Sequence, residues 1–366
     1  MTPPRIPPLD RQASPAFAEP ADLPTKAALH AALAALNLDP SAPGAAIAVA
    51  AGSQTVTAAI GAAAPDGSAM TARTPVRLAS LTKTFTAAAV LRLWETGRLD
   101  LDAPIANLVE PEHAAMLRTG GYDTGSITVR QLLMHTGGLA DHAESPAYLN
   151  TVLDDPARIW TRTGQIAVML DLGPPLSVPG AVFAYSDTGY VLLGGIIERA
   201  IGQPLGEAVR SLLRWGPLGL SNVRWEGEPP AKGPDRAHQW LDGFDTNLIH
   251  GSVDAFGGGG IVASIEDAAQ LYAALVSGAT FDRPETLDLM LAAPGHPTGS
   301  PYRMGLYGCE TDGSQIYRHG GYWGLHAAVD PGRKLGIAAV GLDQAITQDI
   351  TRIVERFALA ARESPK

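Results

Sequence analysis

Residues 76–85 read Val-Arg-Leu-Ala-Ser-Leu-Thr-Lys-Thr-Phe, and they lead directly into the apolar segment Thr86–Thr96. Ser80 lies where an irregular segment becomes a strongly apolar helix, and Lys83 is the one lysine of five with a serine three residues before it. Side chains at this spacing share one helix face, so the hydroxyl and the amine can interact. The start of a helix adds free backbone N–H groups and a partial positive charge. These features are typical of an activated serine nucleophile, although a serine that only caps a core helix fits the same pattern.

The composition of the 366-residue chain is that of a globular protein, with 46% hydrophobic and 17% charged residues. The length suggests about two domains. A formal net charge of −10 argues against nucleic acid or an anionic membrane surface as the main partner. Cys309 is the sole cysteine, so no intrachain disulfide can form, and an unreactive buried thiol is favoured over a cysteine nucleophile.

The N-terminal residues 1–24 are rich in proline and lack the apolar core of a signal peptide. We therefore expect an N-terminal extension on a cytoplasmic protein, or a periplasmic protein if a leader has been removed. No run of about 18 apolar residues occurs, so no membrane span is expected. The oligomeric state is left open.

Strand patterns occur towards both ends of the chain, and helical patterns lie between them. The predicted helices are Thr25–Leu38, Leu81–Thr96, Val129–Leu133, Thr163–Asp171, Tyr190–Ile201 and Thr347–Ala361. The predicted strands are Ala45–Ala50, Thr55–Ile60, Gly305–Cys309, Gln315–His319, Leu325–Asp330 and Leu335–Leu342, with turns at Asp312-Gly313 and Pro331-Gly332.

This order predicts an α/β (α+β) fold in which an antiparallel sheet flanked by helices is interrupted by an all-helical insertion. The expected α/β domain comprises residues 25–79 and 255–366, and the mainly helical domain comprises residues 80–254. The active site would lie in the cleft between the two domains. The four glycines Gly257–Gly260 predict a turn or a close backbone approach.

A second candidate site segment is Tyr185-Ser186-Asp187, in a predicted loop before the Tyr190–Ile201 helix. Such loops often aim side chains into a cleft. Tyr185 can act as a general base if a neighbouring cation lowers its pKa from about 10. The alternative is a turn with a half-buried tyrosine and an aspartate that caps the helix.

A third segment, His319-Gly320-Gly321, ends a strand pattern and is followed by Tyr322 and Trp323. A glycine pair after a strand lets a substrate lie against the backbone, where exposed N–H groups can bind an oxyanion. An ordinary turn at the end of a strand is the alternative.

In this order, Ser-x-x-Lys, Tyr-Ser-Asp and His-Gly-Gly together resemble the serine β-lactamase and D,D-peptidase superfamily. The nearest branch holds class C β-lactamases, D,D-carboxypeptidases, D-amino-acid amidases and β-lactamase-like esterases. Residues 132–139 resemble its "LLxHTSGL" segment, and residues 257–267 resemble its "GGL-x-S-x-x-D" segment. The resemblance covers roughly residues 45–342 and implies a β-lactamase/transpeptidase-like fold.

The resemblance implies that Ser80 attacks an acyl carbon to form an acyl-enzyme, which water then hydrolyses. Lys83 and Tyr185 would share the proton transfers, with the charge of Lys83 favouring the phenolate of Tyr185. The backbone N–H groups of Ser80 and Tyr322 would form the oxyanion hole, and no cofactor or metal is implied.

Two positions depart from the family pattern. Asp187 stands where the family usually has Asn, and as a carboxylate it is expected to pair with Lys83 and to shift the base role towards Tyr185. It could instead repel acidic substrates or attract a free amine. His319 stands where β-lactamases usually have Lys, and a mostly neutral imidazole is a weaker anchor for the carboxylate of a penicillin. We therefore expect a hydrolase of small esters or amides with at most weak β-lactamase activity.

Several alternatives stay open. A D-stereospecific peptidase or amidase, a D,D-carboxypeptidase and a β-lactam-binding sensor fit the same motifs, whereas an α/β-hydrolase is disfavoured because the chain has no G-x-S-x-G. His135 is expected to be structural, and no metal-site spacing supports His135, Asp141 and His142 as ligands. Of the aromatic residues considered for an acyl pocket, Tyr322 and Trp323 are favoured over Trp160 and Trp240.

Overall fold

The computed structural model describes residues 23–220, 223–229, 235–292, 299–311 and 314–359. Its helices are α1 (Lys26–Ala34), α2 (Thr82–Glu95), α3 (Pro111–Thr119), α4 (Val129–Leu133), α5 (Pro146–Asp154), α6 (Arg162–Asp171), α7 (Asp187–Ile201), α8 (Leu205–Leu212), α9 (Ile265–Val276), α10 (Pro284–Leu291) and α11 (Thr347–Leu359). Its strands are β1 (Ala45–Ala51), β2 (Gln54–Ile60), β3 (Pro75–Arg77), β4 (Val223–Trp225), β5 (Trp240–Leu241), β6 (Phe244–Asp245), β7 (Ile261–Ser264), β8 (Tyr307–Thr311), β9 (Ser314–Gly321), β10 (Leu325–Asp330) and β11 (Leu335–Gly341).

A six-stranded antiparallel sheet in the order β2-β1-β11-β10-β9-β8 joins the two ends of the chain. Strands β1 and β11 are buried along their whole length, because α1 and α11 cover one face of the sheet and α9 covers the other. Small residues allow this close packing. A Cβ at Gly336 would lie 2.3 Å from the Ala269 carbonyl oxygen, so only glycine admits α9 at this distance.

Helix α2 is the centre of the second layer and packs against α7, α8 and α10. Its residues from Thr82 to Leu93 are buried, as expected for a helix with apolar residues on all sides. Strand β3 precedes it and belongs to a small antiparallel sheet in the order β3-β7-β4. This sheet holds the entry to α2 next to the glycines that precede β7.

The predicted fold class is confirmed, and local predictions such as the β1–β2 hairpin, α4 and β10 have nearly the observed bounds. Helix α7 begins at Asp187, three residues before the predicted start, and Ser186 caps it in place of Asp187. Helix α9 was not predicted. The Asp312-Gly313 turn, residues 1–22 and residues 360–361 lie outside the described residues.

The division into two domains at residues 79/80 and 254/255 stays a prediction. The main sheet takes its strands from residues 45–60 and 307–341, and helices α2–α8 come from the chain between them. None of the helices in the described ranges is long and apolar enough to cross a membrane.

Candidate active site

Ser80 lies in a 3₁₀ turn, Ala79–Leu81, that runs directly into α2. Ala79 has φ +47°, a left-handed conformation that is strained for a residue with a side chain. Strain of this kind persists only where the surroundings enforce it, and here it sets the direction of the next side chain. Lys83 Nζ donates a hydrogen bond of 2.9 Å to Ser80 Oγ, so the predicted spacing does bring the two groups together.

Lys83 is fully buried, and three groups surround its amine. Besides Ser80, Nζ donates a 2.7 Å hydrogen bond to the Gly258 carbonyl and forms an ion pair with the Asp187 carboxylate. A buried ammonium needs such partners because its transfer from water is costly. The expected pairing of Asp187 with Lys83 is therefore present in the structure.

The Gly258 carbonyl is presented by the glycine loop, residues 257–260, which approaches α7 closely as predicted. Gly257 has φ +113°, and a Cβ there would lie 2.7 Å from the Tyr190 carbonyl oxygen. Helix α2 holds the loop in place, since Thr86 Oγ1 donates to the Gly257 carbonyl at 2.8 Å. The loop thus fixes the position of the Lys83 amine.

Tyr185 is half-buried beside Ser80, with its ring centroid 5.0 Å from Lys83 Nζ. Burial raises the pKa of Tyr185 well above its usual value, the charge of Asp187 raises it further, and a hydrogen bond with Ser80 opposes the rise. These effects raise the pKa of Tyr185 overall, and the expectation that the charge of Lys83 favours the phenolate stays a prediction. Asp187 pairs with the Lys83 charge and itself disfavours the phenolate, so Tyr185 is a neutral phenol.

Two backbone N–H groups at the site are free to bind an oxyanion. Within the described residues, neither Ser80 N–H nor Tyr322 N–H donates to a protein acceptor, and both residues line the same cavity. The turn that carries Tyr322 is held by its carbonyls: Gln344 Nε2 donates to the Tyr322 carbonyl at 2.9 Å, and Gln239 Nε2 donates to the Trp323 carbonyl at 2.8 Å. Preorganised donors of this kind are what an acyl-transfer site requires.

His319, Gly320 and Gly321 are not among the residues that line the cavity, and their contact with substrate stays a prediction. His319 is buried behind Tyr185, with ring centroids 6.2 Å apart, and donates from Nδ1 to the Gly320 carbonyl at 2.8 Å. Burial, followed by the charge of Lys83, lowers the pKa of His319 to about 3, so the imidazole is neutral. Gly321 allows β9 to approach the segment before Ser80 closely, because a Cβ there would lie 2.7 Å from the Leu78 carbonyl oxygen.

The cavity in front of Ser80 has a volume of about 280 Å³. Of the predicted site residues, Ser80, Tyr185, Asp187, Tyr322 and Trp323 line it, whereas Lys83 lies beneath Ser80 and Trp160 and Trp240 are not part of the lining. The other lining residues are Ala79, Asp141, His142, Ala143, Glu144, Tyr148, Leu149, Val152, Val253 and Asp254. Among the described lining residues there is no lysine or arginine.

Asp141 and His142, whose spacing in the sequence does not support a metal site, also line the cavity. Burial, followed by the charge of Asp187, raises the pKa of Asp141 to about 8. Burial lowers the pKa of His142 to about 4, and its Nδ1 lies 2.9 Å from Thr188 Oγ1. Their one signal in the sequence is that they directly follow the segment 132–139. Within the described part of the chain, no three His, Cys, Asp or Glu side chains cluster as a metal site.

Asp254 and Arg77, which belong to none of the sequence motifs, hold Trp323 in the cavity wall. Its Nε1 donates to Asp254 Oδ2 at 2.9 Å, and the Arg77 guanidinium lies 5.6 Å from its ring centroid. Arg77 is itself buried and donates from Nε to Glu226 Oε1 at 2.7 Å. The indole is therefore fixed beside the candidate oxyanion hole.

A protein-family model described as Beta-lactamase matches residues 28–343. Among solved structures, a D-stereospecific amidohydrolase from a Streptomyces species is 26% identical, with a TM-score of 0.73 over 91% of this chain and 97% of that one.

Two curated proteins are also similar. Esterase EstB of Burkholderia gladioli is 31% identical over 257 residues, which are 60% of this chain and 62% of the relative. A monacolin J acid methylbutanoyltransferase of Aspergillus terreus is 27% identical over 248 residues, which are 59% of this chain and 56% of the relative. The chain thus spans less than two thirds of the length of these curated relatives.

Proposed function

The chain belongs to the beta-lactamase family, and from this premise we propose that it is a serine hydrolase that forms an acyl-enzyme on Ser80 and hydrolyses small carboxylic esters or amides. The observation that carries the proposal is the hydrogen bond of 2.9 Å between Lys83 Nζ and Ser80 Oγ, at a cavity that also holds two free N–H groups. Nucleophile, cation and oxyanion donors are the minimum set for acyl transfer.

In the acylation step, Ser80 Oγ forms a bond to the acyl carbon while its proton passes to the Tyr185 oxygen. Because Tyr185 is a neutral phenol, it passes its own proton to the leaving oxygen or nitrogen as the scissile bond breaks. The carbonyl oxygen becomes an oxyanion and is held by the N–H groups of Ser80 and Tyr322. Lys83, which pairs with Asp187, donates to Ser80 Oγ and stabilises the negative charge that develops on that oxygen as its proton leaves.

Deacylation follows the same path in reverse, with water in place of the leaving group. Water bonds to the acyl carbon and gives its proton to Tyr185, whose proton returns to Ser80 Oγ as the ester bond breaks. The products are the free acid and the resting enzyme.

The charges of the cavity support neutral substrates over penicillins. Since its described lining holds no lysine or arginine and His319 is neutral and buried, a substrate carboxylate has no cation to bind. The volume of about 280 Å³ and the apolar wall of Tyr148, Leu149 and Val152 suit a small acyl group. We therefore expect the protein to hydrolyse β-lactams weakly at most.

A second candidate is a D-specific amidase, which the carboxyl groups of the cavity favour. Glu144 lines the cavity and would attract the free amine of an amino-acid amide. This candidate predicts that D-alanine amide is cleaved in preference to L-alanine amide. Equal rates for the two enantiomers would count against it.

The first test of the proposal is Ser80→Ala assayed on p-nitrophenyl butyrate. We expect kcat to fall by at least about 10³-fold with an unchanged melting temperature, because the nucleophile is lost and the fold is not. Ser53→Ala is the matched control, since Ser53 is exposed in the turn between β1 and β2. Turnover by Ser80→Ala near the wild-type rate would show that the nucleophile is misassigned.

A further inference from the structure

His135 is bonded to the backbone on both sides of Tyr185. It is buried, and its carbonyl accepts the Ala184 N–H at 2.9 Å. Its Nδ1 accepts the Ser186 N–H at 3.1 Å. The predicted structural, backbone-bonded histidine is therefore present, but the segment it holds contains the candidate proton-transfer group of the site.

The imidazole also packs on the phenol ring itself. The ring centroids of His135 and Tyr185 are 4.3 Å apart, with planes tilted by 35°. Contacts thus reach three consecutive residues, 184, 185 and 186. Because the Ser186 N–H can donate only to an unprotonated Nδ1, the imidazole is neutral and its proton is on Nε2.

The backbone of His135 is unusual in a way that makes the contacts specific. Its φ is +55°, in the left-handed region that residues with side chains rarely adopt. A helical or extended φ at this position would turn both the carbonyl and the ring away from Tyr185. The left-handed turn after α4 is therefore what presents carbonyl and imidazole to the same segment.

We propose that His135 is a positioning residue for Tyr185: its carbonyl and its neutral imidazole hold the phenol hydroxyl against Ser80. The inference rests on the proposed function, because it concerns the group that we propose relays the proton. His135 touches neither the reacting atoms nor the cavity, since it is absent from the lining. Its effect on the reaction runs through the position of Tyr185.

The test compares two substitutions that tolerate the left-handed backbone. His135→Gly removes the acceptor and the ring contact, whereas His135→Asn places Oδ1 near the position of Nδ1 and keeps the acceptor. We expect His135→Gly to lower kcat on p-nitrophenyl butyrate by about 10- to 100-fold, with KM changed by less than about threefold, because the relay is misplaced and not removed. His135→Asn should recover most of the loss. A folded His135→Gly variant with wild-type kcat would overturn the proposal.

A double-mutant cycle separates positioning from general packing. If His135 acts through the Tyr185 hydroxyl, His135→Gly should cost less than about threefold in kcat when Tyr185 is already Phe. The full 10- to 100-fold loss in the Tyr185→Phe background would mean that His135 acts by another route. His113→Asn serves as the control for loss of a buried imidazole, since His113 lies away from the cavity and contacts Thr163 Oγ1 at 3.1 Å.

One measurement needs no variant. Histidine ¹⁵N NMR of the wild-type protein at pH 7 should show the Nε2–H tautomer for His135, and an Nδ1–H or doubly protonated ring would overturn the proposal. Failure of the proposed function looks different. In that case the wild type fails to hydrolyse the ester or Ser80→Ala retains the activity, whereas failure of this inference leaves both results intact.

Discussion

Asp187 determines the charge balance of the candidate site. Its carboxylate pairs with the Lys83 ammonium and is the second largest cause, after burial, of the raised pKa of Tyr185. An amide of the same size would leave the Lys83 charge without its carboxylate partner and would remove the negative charge near the phenol. Both changes favour a lower pKa for Tyr185.

We therefore predict that Asp187→Asn shifts the alkaline limb of kcat/KM to lower pH. The proposed relay needs the neutral phenol, and a group whose pKa falls loses its proton at a lower pH, so the active form is lost earlier as the pH rises. A shift of one pH unit would change the rate on that limb by roughly tenfold. The measurement is the pH profile of p-nitrophenyl butyrate hydrolysis.

Asp155→Asn makes the same change of charge at an exposed position outside the cavity, and its profile should match that of the wild type. A limb that stays in place in Asp187→Asn would mean that Asp187 does not govern the proton transfer. A limb that moves to higher pH would mean the same, because it has the opposite sign.

At the scale of elements, the glycine loop before β7 connects the fold to the chemistry. Gly257 combines φ +113° with a close backbone contact to α7, and the next carbonyl, that of Gly258, holds Lys83. A side chain at Gly257 would push the loop away from α7. Because Gly257 and Gly258 are adjacent in the loop, a displacement of Gly257 would also move the Gly258 carbonyl that accepts from the Lys83 amine.

We predict that Gly257→Ala lowers the free energy of unfolding by about 2–4 kcal/mol, from backbone strain plus overpacking. It should also lower kcat. Gly278→Ala is the matched control, because Gly278 has φ +88° but a Cβ there would meet no atom within 4 Å. It should cost only about 1 kcal/mol and leave kcat unchanged. Urea unfolding and esterase assays on both variants measure the difference, and equal effects would show that the close approach has no role.

Helices and strands whose signal lies in their own sequence could be predicted. Features that depend on contacts with the rest of the fold could not. The β1–β2 hairpin and α2 follow from apolar runs bounded by turn residues. The start of α7 was missed by three residues, because a cap is visible only in its bonds: Ser186 Oγ accepts the Gly189 N–H at 3.3 Å. Helix α9 is buried on most sides, as α2 is, and its apolar residues have helical spacing, so its absence from the predicted helices does not come from a missing period.

At the scale of the whole molecule, the same distinction applies to the site. Ser80, Lys83, Tyr185 and Asp187 belong to short motifs in a fixed order, and the structure brings them together. Asp254 reaches the cavity only through long-range packing, and the one signal for Asp141 and His142 is their position just after residues 132–139. His319 belongs to a motif, yet packing places its ring behind Tyr185 and not in the cavity.

Buried ionisable groups spread through the molecule also link its stability to pH, in two opposite directions. Burial lowers the pKa of His142 to about 4, of His326 to about 4 and of His319 to about 3. Below the unfolded pKa of about 6.5 the unfolded chain binds these protons first, so stability is lost as the pH falls. Asp141, with a pKa raised to about 8, acts oppositely: its folded state keeps a proton that the unfolded state has released, so stability is lost as the pH rises towards 8.

Well below pH 6.5 the three histidines outweigh Asp141, whereas above it their titration fades and the opposite contribution of Asp141 remains. We therefore predict that the free energy of unfolding, measured with urea from pH 4.5 to 8.5, is greatest near pH 6.5. It should fall by about 0.5 kcal/mol towards pH 8, because Asp141 costs about 1.4 kcal/mol per proton and pH unit and the end of the histidine titration offsets most of that loss. Asp141→Asn cannot ionise and should flatten that alkaline decline while leaving the acidic one in place. A wild-type stability that still rises from pH 6.5 to 8 would contradict a protonated Asp141 in the folded state.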